Sequence, residues 1–188
     1  HGYDKYIYTY IADKFQGDIN FDPKKIKVAT LDIECESENG FPEPKLAEEK
    51  VNAITIKPFR HNPQTFGIGA WDECPPNVNY HECVDEAQLL TEFIKYWRKE
   101  KFDIITGWNV DSFDMTYLCN RVDKLFGEGE HKKFSPWNMS DVREYRNQYG
   151  KMDMTFTLYG INILDYLDLY RKHTFVNQES YKLDHIAH

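Results

Sequence analysis

The sequence has no long apolar run; its hydrophobic stretches last only a few residues. None approaches the ~20 consecutive apolar residues that a membrane-spanning helix requires. The opening His-Gly-Tyr-Asp-Lys has no apolar core of a secretory signal. It also begins without Met, which reads as a piece of a longer protein. Cysteine is sparse: the four (Cys35, Cys74, Cys83, Cys119) form no Cys-x-x-Cys pair and have no His spacing suited to zinc. Reduced thiols and a cytoplasmic location are expected. Positive charge is the minority sign, with 23 Lys+Arg against 31 Asp+Glu and a net charge of −8. That balance excludes indiscriminate nucleic-acid binding through bulk charge, but not an enzyme whose acids surround metal ions.

What is present is a folded, aromatic-rich chain of 188 residues, the size of one domain. Residues 26–34, Ile-Lys-Val-Ala-Thr-Leu-Asp-Ile-Glu, read as a central strand behind an Asp22-Pro23 breaker. Alternation sends Asp32 and Glu34 to one face and Leu31 and Ile33 to the other. Two neighbouring carboxylates resist burial unless something positive holds them, and a divalent cation would serve. The competing reading is that the strand has ended and both acids are solvated.

Residues 1–22 read as a connecting segment on the outside, and Glu36–Lys45 as a turn-rich loop with Asn39-Gly40. Val51–Ile56 and Thr65–Ala70 read as two further strands, making an antiparallel meander with the first. Asp85–Glu100 is the clearest helix, capped by Asp85 with Gln88 three positions on, and Leu89, Leu90, Phe93, Ile94 and Trp97 form its core stripe. A short strand at Phe102–Thr106 follows, then a helix over Ser112–Phe126 that offers Leu125 and Phe126, among others, to the core. Residues 142–162 read as a hairpin, Ile163–Lys172 as a third helix, and Tyr181–His188 as the start of another. Strands followed by alternating helices and strands indicate an α/β domain with a mixed sheet.

Asp114 falls in the first turns of the helix after the Phe102–Thr106 strand, where an acid can point across the strand ends. Asp111 reads as an ordinary acid favoured by the helix dipole. Leu-Asp-Ile-Glu at 31–34 and Asn109-Val-Asp-Ser-Phe-Asp114 resemble the first two exonuclease motifs of B-family DNA polymerases. Gly40-Phe-Pro-Glu-Pro, Asp103-Ile-Ile-Thr-Gly-Trp-Asn, Phe134-Ser-Pro and Ile163-Leu-Asp-Tyr-Leu-Asp-Leu-Tyr extend the likeness to T-even-type bacteriophage members over essentially the whole chain.

The resemblance implies a ribonuclease H-like fold, a mixed β-sheet flanked by helices with an inserted β-hairpin, and 3′→5′ proofreading hydrolysis of DNA. It implies that Asp32, Glu34 and Asp114 are catalytic ligands of a two-ion Mg²⁺ or Mn²⁺ site; hard oxygen donors suit such ions. Phe41 matches a position that stacks on the terminal base; its other reading is a plug holding the loop on the domain. Asn109 fits either contact with the backbone of the strand being cut or capping of the following helix. Arg143, Arg146, Lys132 and Lys133 are candidate phosphate contacts or a solvated basic face. The implied partners are the single-stranded 3′ primer end of DNA, the rest of the polymerase chain and, in the family, a sliding clamp.

The family's third motif, a Tyr four residues before an Asp on a helix, is not found here. Tyr149-Gly-Lys-Met-Asp153 has the spacing, but Gly150 and the alternation after it predict a turn and strand. The motif is expected beyond residue 188, so residues 23–188 read as a truncated exonuclease domain with an incomplete metal site and weak or no activity in isolation. Asp165, Asp168 and Asp184 read as surface acids. Alternative readings are a stand-alone exonuclease of the same superfamily, or a non-catalytic DNA-binding or structural module.

Overall fold

The computed structural model describes residues 6–187 except 19, 21, 39, 147–149 and 177. Asn39, Tyr149 and His188, which enter three of the sequence readings above, lie outside the described residues, as do residues 1–5. The central strand forms as expected: β1 spans Val28–Cys35, with Ala29, Leu31 and Ile33 buried and Thr30, Asp32 and Glu34 exposed. β2 (Val51–Pro58) and β3 (Gln64–Ile68) complete the antiparallel meander. A strand that alternation did not announce, β4 (Asn79–Cys83), adds to β3 in parallel at the sheet edge.

On the other side of β1 lie β5 (Ile104–Gly107) and then β8 (Asn162–Asp165), both parallel to it. The six-stranded order is β4-β3-β2-β1-β5-β8. β6 (Ser140–Arg146) and β7 (Met152–Leu158) form the separate antiparallel hairpin. Asp153 therefore lies on a strand, as the turn chemistry at Gly150 predicts.

Helix α1 (Tyr6–Lys14) occupies the connecting segment, with residues 8–14 exposed. Helix α2 (Glu86–Glu100) carries its apolar stripe onto the buried face of the sheet, where Leu89, Leu90, Phe93, Ile94 and Trp97 all lose solvent. Each large apolar side chain buried this way contributes about 1.5–3 kcal/mol. Asp85 caps the helix by accepting from the Gln88 N–H (2.8 Å), while Gln88 accepts from the Val84 N–H (2.8 Å). The Trp97 indole N–H donates to the Phe134 carbonyl (2.7 Å), so this ring is buried without an orphaned donor.

Two helices differ from expectation. The predicted helix at 112–126 is a π-helical turn, Asp111–Met115, running into α3 (Thr116–Phe126). Leu118 and Val122 are buried, but Leu125 and Phe126, in the last turn of the helix, are substantially exposed. The predicted helix at 163–172 begins later, as α4 (Tyr166–His173): Asn162–Asp165 pair with β5 instead, since the edge of β5 needed a partner.

All four cysteines are free. Burial pushes the Cys35 thiol up to about 12 and raises those of Cys83 and Cys119, so they stay protonated and poorly nucleophilic. Iodoacetamide at pH 8 is expected to alkylate Cys74 alone in the native protein and all four after unfolding. Peptide mass mapping checks this, and rapid native labelling of Cys35 would contradict it.

Candidate active site at the carboxyl ends of the parallel strands

β1, β5 and β8 run in the same direction, so their carboxyl ends share one edge, where open α/β sheets bind ligands. Pairing of β1 with β5 stops at Thr30–Thr106. Beyond it, the β5-facing side of β1 has no strand partner. The π turn fills the gap: Asp114 Oδ1 accepts the Ile33 N–H (3.0 Å). The turn reaches that far because Gly107 passes close to β1. A Cβ on Gly107 would stand 2.6 Å from the Leu31 carbonyl oxygen, so no other residue fits there.

Asp114 is 4% exposed. Its carboxyl is pushed up to about 8, by burial first and then by the charge of Asp32, with the Ile33 N–H and its own backbone pulling back. Burial also raises Asp32 above the usual carboxylate range. Glu34 shares the exposed face of β1 with Asp32, and the β1–β2 register shifts between Glu34 and Cys35. Such an irregularity turns the side chains beside it.

The three acids do not form a closed cluster. Among the described residues no group of three or more His, Cys, Asp or Glu stands close enough to hold a metal ion. What the structure shows is an electrostatically coupled pair, Asp32 and Asp114, with Glu34 next to it along the strand. Two neighbouring carboxylates, with oxygen-only donors, suit a hard divalent cation. Asp32 and Asp114 thus supply two of the oxygen donors of such a group, and the described residues bring no third acid close enough to complete it.

Phe41 is 85% exposed, and its ring lies 5.3 Å from that of Phe113, next to Asp114. The 36–50 loop that carries it is tied to α3. Tyr117 donates to the Glu49 carbonyl (2.6 Å), Asn120 to Pro44 (2.9 Å), and Arg121 to Ala47 and Glu48 (3.0 and 2.8 Å). The loop is thus held by the helix that continues from the π turn, and the Phe41 ring lies exposed against Phe113.

Asn109 adopts a left-handed conformation (φ 61°), and its carbonyl accepts the Phe113 N–H (2.9 Å). The π turn carries no side-chain cap, so the capping reading of Asn109 is corrected: its contribution is backbone geometry that Asn tolerates better than most residues. Arg143 and Arg146 are both on exposed β6. Arg143 is close enough to lower Asp111, and Tyr145 meets Ser112 (3.3 Å), so the hairpin stands beside the π turn. Lys132 and Lys133 lie on a 3-10 turn (Glu130–Phe134) packed against α2 and α3, and Lys133 pairs with Glu130.

Two acids gained significance only in three dimensions. Asp111 is pushed up to about 6, by burial first, then by Asp165 and Asp168, with Arg143 opposing; it is not a solvated dipole acid. Asp165 is not a surface acid either. Its Oδ1 accepts from the Asn109 N–H (3.0 Å) and the Leu167 N–H (2.9 Å), and its Oδ2 from the Asp111 N–H (3.1 Å). An Asp just before an apolar-periodic segment signals a helix N-cap, and that was the only trace of this in the sequence.

An exonuclease-domain model of DNA polymerase family B matches residues 3–186. The DNA-directed DNA polymerase of Escherichia phage RB69 is 36% identical over 99% of this chain and 23% of its own length. That of Enterobacteria phage T4 is 32% identical over 99% of the chain and 23% of its own length. The DNA polymerase catalytic subunit of human herpesvirus 6B is 29% identical over 84% of the chain and 16% of its own length. The chain thus spans about a quarter of the length of the phage relatives. No helix of the described residues is long and apolar enough to cross a membrane. With the sheet order, the hairpin and the acid pair in place, this chain belongs to the exonuclease-domain family of B-family DNA polymerases.

Proposed function

We propose that this chain performs 3′→5′ proofreading hydrolysis within a DNA-directed DNA polymerase, removing the 3′-terminal nucleotide of DNA as a monophosphate. Asp32, Glu34 and Asp114 would hold Mg²⁺ or Mn²⁺. Bound there, such ions supply an activated water and neutralise charge building on the phosphate. The chain's own residues set the geometry. Asp114 is oriented by the Ile33 N–H, and Asp32, on the exposed face of β1, is within electrostatic reach of it. Phe41, exposed beside Phe113, offers a stacking face to the terminal base whatever its identity. Arg143 and Arg146 on the hairpin would meet phosphates, and Asn109 the backbone of the strand being cut. Residues 1–22 would connect this unit to the rest of the polymerase, and a sliding clamp is the further partner.

The single observation that carries the reading is the buried Asp114 carboxyl, held on β1 by the Ile33 N–H and raised by the charge of Asp32. Titration of the chain with Mn²⁺, read by the loss of free-ion EPR signal, is expected to show binding that Asp32→Asn weakens by roughly 10-fold or more, beyond the lower range for outer-shell partners. Equal binding by wild type and Asp32→Asn would contradict it.

A further inference from the structure

Asp165 lies at the end of β8, opposite Gly107 in the ladder with β5, and makes three backbone contacts from a single carboxylate. Only one of them, from Leu167, belongs to its own helix. The other two reach across to the Asn109 and Asp111 N–H groups, in the turn that leaves β5 and enters the π turn. That turn is constrained at each step: Gly107 has no room for a Cβ under Leu31, Asn109 is left-handed, and the Met115 N–H returns to the Val110 carbonyl (2.9 Å). A left-handed residue at the entry of a wide turn is strained and persists only where its surroundings hold it.

We infer that Asp165 is a positioning residue: its carboxylate clamps the 109–111 backbone so that the π turn delivers Asp114 to the Ile33 N–H and to Asp32. Three backbone N–H donors hold its carboxylate, so it acts on the site through the backbone. The consequence for hydrolysis rests on the proposed function; the consequence for the Asp114–Ile33 contact does not.

Two variants separate the clamp from helix capping. Asp165→Ser keeps a good N-cap for α4 but is too short for Asn109 and Asp111; Asp165→Asn keeps one oxygen in place. In the full chain, amide hydrogen exchange at Ile33 is expected to speed up by about 10-fold or more in Asp165→Ser, the worth of a charge-assisted hydrogen bond. Asp165→Asn should be intermediate, and Ile54, the paired residue on β2, should be unchanged. In the full-length protein, the Mn²⁺ concentration for half-maximal hydrolysis of a 3′-mispaired primer should rise roughly 10–100-fold while KM for DNA stays put. Wild-type exchange at Ile33 in both variants would overturn the inference. So would equal acceleration at Ile33 and Ile54, which assigns Asp165 to fold stability alone. Full hydrolysis by Asp114→Asn would instead remove the functional reading, leaving the Ile33 exchange result to judge Asp165 by itself.

Discussion

Asp114→Asn is expected to reduce hydrolysis of a 3′-mispaired primer by the full-length protein more than about 100-fold, the upper range for loss of an outer-shell partner. The amide has nearly the shape of the carboxyl, and its oxygen can still accept the Ile33 N–H, so the contact that shapes the turn survives. On the proposed function, what disappears is the anionic oxygen that Asp114 offers a cation once its proton is displaced. The same substitution has an opposite signature in metal-free buffer. Asp114 is raised from 3.8 to about 8 in the native protein, so the folded state holds this proton more tightly than the unfolded chain. The stability that this proton contributes is fully present below the unfolded value and is lost as pH rises through about 8. Wild type in EDTA should therefore lose stability between mildly acidic and alkaline pH, and Asp114→Asn should flatten that slope. Urea titrations across pH check the second effect, single-turnover kinetics the first. Retained hydrolysis, or an unchanged pH slope, would count against the assigned role of this carboxyl.

The largest effect on stability is expected away from the acids. Glu86, at the start of α2, accepts from Arg121 Nε and Nη2 (2.7 Å each) and from the Val51 N–H (2.8 Å). Both side chains are 8% exposed. Arg121→Ala would leave a buried carboxylate with one donor, together with the Ala47 and Glu48 carbonyls it served. Breaking a buried pair of this kind costs about 3–5 kcal/mol, a large part of the stability of a domain. Replacing both members by apolar residues is often harmless elsewhere. Here the double substitution to methionine should still destabilise, because Val51, Ala47 and Glu48 would keep orphaned backbone groups. Denaturant unfolding of Arg121→Ala and of the double variant decides this. A cost under about 1 kcal/mol for Arg121→Ala, the range of an exposed pair, would contradict the buried arrangement. The 36–50 loop depends on the same guanidinium, so Phe41 should lose its place as the pair is broken.

The parts of the fold legible in the chain were those with a short period. Alternation over β1 put Leu31 and Ile33 inward and Asp32 and Glu34 outward, and the 3.6-residue stripe of α2, with its Asp85 cap, was equally plain. The helix at 112–126 was placed correctly, but its first turn is π-helical, and nothing in Asp-Ser-Phe-Asp-Met distinguishes that from an α turn. Arg121 shows itself only as a charge one turn along from buried Leu118 and Tyr117, a place where a solvated arginine is ordinary. β8 was read as helix because four residues with one apolar pair satisfy either period.

By itself the sequence determined the strand that carries two acids on one face, the helix that packs behind it, the hairpin, and membership of the exonuclease-domain family. Those follow from patterns closed within a few residues, or from motifs in order along the chain. Only the tertiary structure decided that Asp114 bonds Ile33 from 81 residues away, that Asp165 grips Asp111 from 54, and that Glu86 meets Arg121 from 35. A carboxylate's role is set by which donors and charges surround it after folding, and local periodicity carries no record of partners that distant.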